Sequence, residues 1–431
     1  MDTNNHIVTN EELASAFGGA VPQTPVASSN NGAGIPDKQA KKPTKKQKWD
    51  KLTIAFYVIG GLGIAGGVTM LLFSLLTMPE TVGSVRYPDL TKKESGEKVY
   101  SNLTGEVLAD ASLKNAPAYC IQTPNGTDGA RPHAGLNQAG VIFEAIAEAG
   151  ITRFAAIYQN PTASIIGPIR SLRIYYLQWD TPFDCTIVHA GGSGDALAAV
   201  SRGYKNLDEN YSYMYRGTYG SRLWNNLFTT AGNLRRFSED NNYTTSEIKG
   251  FARMTPEESE RSRIDELVIE KLNIVKPSTK NTAELKPAVA NISFRLGGWG
   301  DFNVNYQYDA TSNKYLRSYE SGSQHQVYSC PEGDGGGNPE DSCNLTQMTP
   351  SVVIAMMVSE RRAADNYHED IDVIGMGDAY IFQNGVALSG TWKKDSTESQ
   401  IQFLDSDNKE IRLAPGQTMI TAVPNYGSVA F

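Results

Sequence analysis

The pattern of hydrophobic and polar positions divides the chain into a polar start, one long apolar run and a longer part with mixed patterns. The apolar run covers residues 52–78, LTIAFYVIGGLGIAGGVTMLLFSLLTM, and contains no charged residue. As a helix it would be about 40 Å long, enough to cross a bilayer with some tilt. A cleaved signal peptide usually has a shorter apolar stretch nearer the start. The pattern therefore predicts a single transmembrane helix at 52–78.

The residues before this run predict which way the helix crosses the membrane. Residues 1–51 are rich in Pro, Ser, Asn, Gly and Lys, a composition typical of a disordered segment. The first basic residue after the run is Arg86, whereas seven lysines precede it. Because positive residues stay on the cytoplasmic side, we expect a cytoplasmic tail at 1–51 and an extracytoplasmic remainder in the cell membrane. These lysines are Lys38, Lys41, Lys42, Lys45, Lys46, Lys48 and Lys51.

The apolar run also contains a motif for helix pairing. Gly63 and Gly67 form a GxxxG pattern, which allows two helices to approach closely. This pattern predicts a homodimer as one option, although glycines are common in membrane helices.

Residues 79–114 are polar and predict a stalk, followed by an N-terminal α/β domain at 115–250. The segment AGVIFEAIAEAGITRFAAIYQN alternates on both sides of Ala149-Gly150, which predicts a β-hairpin. In this pattern Glu144 and Glu148 share one face. Farther on, SLRIYYLQWD favours a helix, and CTIVHA favours a buried strand that leads through GGSGD into another helix. TTAGNLRRFSED has the capping and spacing of a further helix.

The rest of the chain changes character. Residues 251–289 are strongly charged and predict an exposed connector. Residues 290–431 contain several alternating segments, with a hairpin turn at Asn384-Gly385, and predict a mainly β C-terminal domain. The predicted fold class is therefore α+β, with a membrane helix followed by an α/β-type exported domain and a mainly β domain.

Cysteine and charge composition limit the chemistry. Cys330 and Cys343 bracket a loop that cannot pack itself, which predicts a local disulfide bond. Cys120 and Cys185 could pair or remain two buried thiols. The spacing does not fit zinc, no histidine pair favours another metal, and no motif indicates a cofactor. The chain carries 39 basic and 47 acidic residues, without the basic run that nucleic-acid binding requires.

Several motifs resemble the YerB-like family of bacterial envelope proteins. They are ARPHAGL, FEAIAEAGITR, GPIRSLR and HAGGS, followed by VNYQYDATSNKYLRS and VIGMGDAYIFQNG, in the order typical of that family. The resemblance covers roughly residues 115–425 and implies a two-part envelope protein with a domain of unknown function. Many members are lipoproteins, whereas this chain has no cysteine in residues 52–78 to acylate.

The polar residues of these motifs are the candidate ligand-binding residues. A cross-strand pair between Glu144 and Arg153 is one interpretation. Arg170 and Arg173 would lie one turn apart at the start of a helix, with either Glu148 or a bound anion as partner. The full set is Arg131, His133, Glu144, Glu148, Arg153, Arg170, Ser171, Arg173, His189 and Ser193.

Three hypotheses for function follow. The first is that the positive members of this set line a cleft for an anionic or polar envelope ligand, such as cell-wall polymer or its precursor. The second is an envelope hydrolase or transferase with His189 or a glutamate as general base, so that enzymatic activity is left open. The third is a non-catalytic scaffold in which the motif charges form internal ion pairs.

Overall fold

A computed structural model describes residues 98–218, 225–263, 289–297 and 300–431. The predicted tail at 1–51, the predicted membrane helix at 52–78 with Gly63 and Gly67, and residues 79–97 of the predicted stalk lie outside the described residues. Among the described residues, no helix is long and apolar enough to cross a membrane. The described residues belong to one compact unit.

The strands of the first half and the helices lie at the following positions. The strands are β1 Ala118–Pro124, β2 His133–Ala134, β3 Val141–Glu148, β4 Ile151–Gln159, β5 Thr186–His189, β6 Asn206–Asp208, β7 Met214–Arg216 and β8 Leu227–Thr229. The α-helices are α1 Ile174–Asp180, α2 Gly194–Val200, α3 Ala231–Asp240 and α4 Pro339–Ser342, and residues 256–263 are also helical. Single turns of 3₁₀ helix lie at Ala111–Asn115, Leu136–Gln138, Thr181–Phe183 and Gly300–Phe302.

The second half is mainly β, as the alternating pattern predicts. Its strands are β9 Asn291–Arg295, β10 Val304–Asp309, β11 Lys314–Tyr319, β12 Gln326–Ser329, β13 Asn344–Gln347, β14 Val352–Arg362, β15 Glu369–Asp372, β16 Gly375–Gln383, β17 Val386–Lys394, β18 Gln402–Leu404, β19 Thr418–Pro424 and β20 Ser428–Ala430. The Asn384-Gly385 hairpin joins β16 and β17 as predicted, with both turn residues at positive φ. The α+β class with a mainly β second half is therefore confirmed.

One large sheet contains strands from both halves of the chain. Its order is β18-β17-β16-β14-β19-β3-β4-β1-β5-β6, with β15 added beside β14. The halves join where β19 runs parallel to β3, placing Thr418 opposite Val141 and Thr421 opposite Glu144. The two regions predicted as separate domains thus contribute to the same hydrogen-bonded sheet.

Each face of this sheet is buried by a different layer. Phe143 belongs to the core under α1, where its ring stacks on Trp179 with 4.9 Å between ring centroids. On the other face, Ile142 and Phe154 belong to a core shared with the small sheet β11-β10-β9-β20. Burial on both faces explains the nearly continuous apolar sequence of β3 and β4.

The hairpin of β3 and β4 is confirmed, but its end differs from the simple alternation. Ala149 and Gly150 both have positive φ, as a two-residue type I′ turn requires. A register shift between Ile146 and Glu148 precedes this turn. It turns Glu148 toward the face covered by α1, so the prediction that Glu144 and Glu148 share a face is wrong.

The folded part also begins earlier than predicted. Leu103 is buried in the core under α1, and its carbonyl oxygen accepts a hydrogen bond from Arg253 Nη2 at 2.7 Å. Residues 98–114 therefore pack on the body of the protein and do not form a stalk. Phe251 is buried as well, so the predicted exposed connector is packed at its start, and its residues 264–288 lie outside the described residues.

Two disulfide bonds close loops of different lengths. Cys330 pairs with Cys343 as predicted, and Cys120 pairs with Cys185, which the sequence left open. The Cys120–Cys185 bond closes a loop of 65 residues, and the Cys330–Cys343 bond closes a loop of 13.

We expect removal of the longer-loop disulfide to be the more damaging change. Loop-closure entropy predicts losses in the free energy of unfolding of about 4 kcal/mol for Cys120→Ser/Cys185→Ser and about 3 kcal/mol for Cys330→Ser/Cys343→Ser. Urea unfolding of the two double variants and the parent chain measures both losses. An equal or larger loss for the Cys330/Cys343 variant would contradict the ranking.

Candidate functional site

The motif residues gather around one edge of the large sheet. The strands β1, β5 and β6 are parallel neighbours and end at Pro124, His189 and Asp208. The antiparallel β4 begins at the same edge, where Arg153 lies opposite Pro124. Ligands of open α/β sheets commonly bind at such carboxyl ends. We call this region the carboxyl edge, and it contains the end of the predicted buried strand at His189 and the glycine turn that follows it.

Two motif loops lie side by side at the carboxyl edge. Leu172 donates a hydrogen bond to the Gly191 carbonyl oxygen at 3.0 Å, and Ser193 donates to the Leu172 carbonyl oxygen at 3.1 Å. These bonds hold the GPIRSLR segment extended, so α1 starts only at Ile174. Arg170 therefore lies before the helix, and the prediction that Arg170 and Arg173 lie one turn apart at its start is wrong.

His189 is a buried structural residue of this edge. Its Nδ1 lies 2.8 Å from the Gly191 carbonyl oxygen, and its Nε2 lies 2.8 Å from Asn206 Oδ1. The nearby Asp208 accepts a hydrogen bond from the Gly191 amide at 2.8 Å. Nδ1 thus holds the glycine turn and Nε2 is bonded to β6, which leaves His189 poorly suited to act as a general base.

Glu148 joins two of the predicted arginines. Its two carboxylate oxygens accept hydrogen bonds from Arg153 Nη2 and Arg173 Nη2, both at 2.7 Å. Burial alone would raise the pKa of Glu148, but Arg153 and Arg173 together hold that pKa below its ordinary value. Of the two partners predicted for the arginine pair, the structure shows Glu148 for Arg173. The predicted pair of Glu144 with Arg153 is wrong, because these side chains lie on opposite faces of the sheet.

Arg170 is bonded differently from the other two arginines. Its Nε donates to Asn225 Oδ1 at 3.0 Å, and Asn225 in turn donates to Asp128 at 2.9 Å. Among the described residues, the two terminal guanidinium nitrogens of Arg170 make no hydrogen bond and no ion pair. Partial burial, followed by repulsion from Arg153 and Arg216, lowers the pKa of Arg170. The charges of Asp128 and Glu148 oppose this shift, so Arg170 lies among charges of both signs, with two nitrogens available.

Ser193 and Arg173 line a cleft of about 370 Å³ next to the carboxyl edge. Asp195 and the loop around His368 form the rest of its wall. Asp365 accepts hydrogen bonds from His368, and these bonds lower the pKa of the Asp365 carboxyl. The cleft carries charges of both signs, and Ser193 occupies the N-cap position of α2 without a side-chain capping bond.

Glu144 lies on the opposite face, at the centre of a buried network. Arg317 Nη2 donates to both Glu144 oxygens at 2.9 Å, and both side chains are fully buried. Thr421 donates to the same carboxylate at 3.2 Å and Thr152 at 3.1 Å. The pair therefore connects β3 to β11 and to β19, with its remaining lone pairs satisfied.

Two histidines extend this network in one direction. Arg317 donates to His325 Nδ1, His325 Nε2 lies 3.2 Å from His133 Nδ1, and His133 Nε2 lies 2.8 Å from the Pro124 carbonyl oxygen. Since Arg317 can only donate and a carbonyl can only accept, each ring is neutral with its proton on Nε2. Burial lowers the pKa of His133 to about 3 and lowers that of His325 well below its ordinary value.

Arg131 closes the network on its outer side. Its Nε donates to Asn125 Oδ1 at 2.8 Å, and its guanidinium lies 3.9 Å from the centre of the Tyr319 ring. Asn125 donates in turn to Glu144 at 3.3 Å and to Thr152 at 2.7 Å. Arg131 and His133 are therefore separated from Arg153 and Arg173 by the sheet, and the predicted positive residues do not line one cleft.

Family profiles match both halves of the chain. Residues 103–244 match the N-terminal domain of a protein of unknown function, DUF3048, and residues 294–420 match the C-terminal domain of the same description. YerB of Bacillus subtilis (strain 168), which is named as a candidate lipoprotein, is 25% identical over 345 residues, which are 78% of this chain and 90% of YerB. This chain belongs to the YerB-like family.

A solved structure shows the same fold. The crystal structure of YerB from Bacillus subtilis aligns with a TM-score of 0.60 and 21% identity, covering 78% of this chain and 100% of that structure. The predicted resemblance to the YerB-like family is thereby confirmed. The family description names no reaction or ligand, so the ligand-binding role of the motif residues stays a prediction.

Sequence reasoning missed several members of the buried network in this YerB-like chain. Arg317 alternates with Tyr315 and Tyr319 on one buried face of β11, a position where an arginine needs a partner. This alternation in the sequence indicates that Arg317 is buried, but it does not identify its partner Glu144, which is 173 residues away. Asn125 and His325 carry no comparable signal, because each lies in a turn or a short strand connection.

We expect loss of the central charge pair to destabilise the YerB-like fold strongly. Glu144→Gln keeps the shape of the side chain but leaves the Arg317 charge buried without a counter-charge, which should cost about 3 to 5 kcal/mol. Urea unfolding measures the loss. The control Asp334→Asn removes an exposed ion pair with Arg235 and should change stability little. Equal effects of the two variants would contradict the assigned role.

The neutral histidines predict a pH dependence of stability. Below pH 6.5 the unfolded chain binds a proton at His133 that the folded chain binds only near pH 3, so stability falls as the pH decreases. The contribution from His133 is roughly 3 kcal/mol between pH 6.5 and pH 4. Urea unfolding from pH 7 to pH 4 should show a shallower slope for His133→Gln than for the parent chain. If the free energy of unfolding falls equally steeply with decreasing pH in both proteins, His133 is not the source of the pH dependence.

Proposed function

We propose that this YerB-like protein is anchored in the cell membrane by a single helix at 52–78 and binds an anionic or polar cell-envelope ligand at the carboxyl edge. In this proposal the N-terminus is cytoplasmic and the folded unit is extracytoplasmic. The ligand class is cell-wall polymer or its precursor, because these are polar polymers available at that location.

The cysteines support the proposed type of anchor. The sequence contains four cysteines, and all of them are paired in the two disulfide bonds. A lipid anchor of the kind that the name of YerB suggests needs a free cysteine to acylate. This sequence offers none, while it does offer an uncharged run of sufficient length. Disulfide bonds also persist outside the cytoplasm, in agreement with the proposed location.

The binding proposal depends on the unbonded terminal nitrogens of Arg170. Arg153 and Arg173 are both bonded to Glu148, and Arg131 is used in the buried network. Arg170 keeps two terminal nitrogens without partners among the described residues. A guanidinium in this arrangement can donate two parallel hydrogen bonds to a phosphate or carboxylate.

The alternatives have less support. A hydrolase or transferase that uses His189 would need a free ring nitrogen, and both nitrogens are bonded to neighbouring groups. A scaffold role agrees with the ion pairs of Glu144 and Glu148, but it leaves Arg170 and the adjacent cleft unexplained. Binding therefore remains the leading proposal.

Co-sedimentation of the full chain with purified wall fragments tests the proposal. Arg170→Ala should weaken binding at least tenfold, because it removes the available guanidinium without breaking an ion pair. The matched control is Arg412→Ala, which removes an exposed arginine paired with Glu258 and should leave binding unchanged. If Arg170→Ala folds and binds wall fragments as well as the parent chain, the proposal fails.

A further inference from the structure

A second cavity lies at the turn between β3 and β4, beside the first cleft, with which it shares Glu369 in its wall. Its volume is about 350 Å³, within the size range of small-molecule sites. Strands β14 and β15 and the segment before β20 form its walls. The lining residues used below are Gly297, Glu360, Arg361, Arg362, Glu369 and Tyr426.

Glu360 is an unusual member of this lining. The residue is only 6% exposed, and its Oε1 accepts a hydrogen bond from the Tyr426 hydroxyl at 2.6 Å. Its Oε2 is buried and has no hydrogen-bond partner among the described residues. A buried carboxylate oxygen without a partner costs free energy, so a donor that reaches this atom from the cavity supplies a hydrogen bond that no described residue makes.

The charges around Glu360 leave it uncompensated. Glu369, which is 9% exposed, lies in an ion pair with Arg362 at 3.2 Å. Arg361 is held by Asp370 and Asp372 on the neighbouring strand. Neither arginine forms an ion pair with Glu360, although both line the same cavity. The described residues thus supply a second carboxylate to this wall, and the Arg362 charge acts on Glu360 only from beyond ion-pair distance.

The chain positions the phenol that faces Glu360. Gly297 has φ of +73°, and a Cβ atom at this position would lie 2.3 Å from Tyr426 Cδ2. Only glycine both accepts this backbone conformation and leaves room for the ring. Tyr426 therefore lies against the backbone with its hydroxyl on Oε1, which directs the unsatisfied Oε2 away from the phenol.

We propose that this cavity binds a primary ammonium group of a small amine, with Glu360 Oε2 as the main acceptor and Glu369 as the second. An ammonium has three N–H donors and no acceptor, which suits a wall of two carboxylates and a phenol. A metal ion is a weaker fit, because no group of three His, Cys, Asp or Glu side chains among the described residues is arranged to hold one.

The ionisation of Glu360 makes this site sensitive to pH. Burial raises the pKa of Glu360 to about 7; the Tyr426 hydrogen bond lowers it, the Glu369 charge raises it, and the Arg362 charge lowers it. Binding of a cation requires the ionised form, so affinity should rise as the pH increases through neutrality.

Titration of the full-length protein in detergent with n-butylammonium, followed by ligand-observed NMR, tests the proposal. This amine stays charged across the range, as a lysine side chain does, so only the protein titrates. We expect affinity to rise about tenfold from pH 6 to pH 8, following the ionised fraction of Glu360. Uncharged n-butanol, which has the same carbon chain, should not bind. Glu360→Gln should weaken butylammonium binding at least tenfold, whereas the exposed control Glu340→Gln should not change it.

Three results would overturn the proposal. They are equal binding of butylammonium by the parent chain and Glu360→Gln, equal binding of n-butanol and butylammonium, and no saturable binding at either pH. The comparison of alcohol with amine and the pH series use the parent chain alone. They keep the proposal testable even if Glu360→Gln does not fold.

Discussion

The fully buried pair of Glu144 and Arg317 is the interaction on which the rest of this structure depends. It connects a strand of the first half to a strand of the second, and Thr421 joins the same carboxylate from β19. Two charges in such a position are tolerable only when every lone pair and N–H group has a partner. The surrounding hydroxyls, amides and histidines supply these partners. The pair therefore joins the two halves beside the point where β19 pairs with β3 in the shared sheet.

The large sheet also decides which motif residues can act together. It places Glu144, His133 and Arg131 under the small sheet and leaves Glu148, Arg153 and Arg173 on the side of α1. Residues that are close in sequence thus serve different purposes. One set stabilises the junction of the halves, and the other shapes the carboxyl edge. Arg170 is the exception, because it belongs to that edge without being neutralised there.

Two candidate surfaces result, and their chemistry is complementary. The carboxyl edge offers a guanidinium with available donors, and the cavity beside Glu360 offers an unsatisfied carboxylate. The two disulfide bonds that hold the body together are of a kind that persists outside the cytoplasm.

Local patterns in the sequence determined the hairpin of β3 and β4, the strand–glycine–helix unit at His189, the short disulfide and the β character of the second half. Each depends on residues near one another in the chain, so periodicity and turn chemistry are sufficient. The family resemblance depended on the same motifs. Only the tertiary structure decided that the halves share one sheet, that a bulge turns Glu148 away from Glu144, and that Arg317 is the partner of Glu144. The bulge is local, but simple alternation does not reveal it. The shared sheet and the Arg317 partner depend on contacts across more than 150 residues, and no local pattern specifies which distant partner satisfies a buried charge.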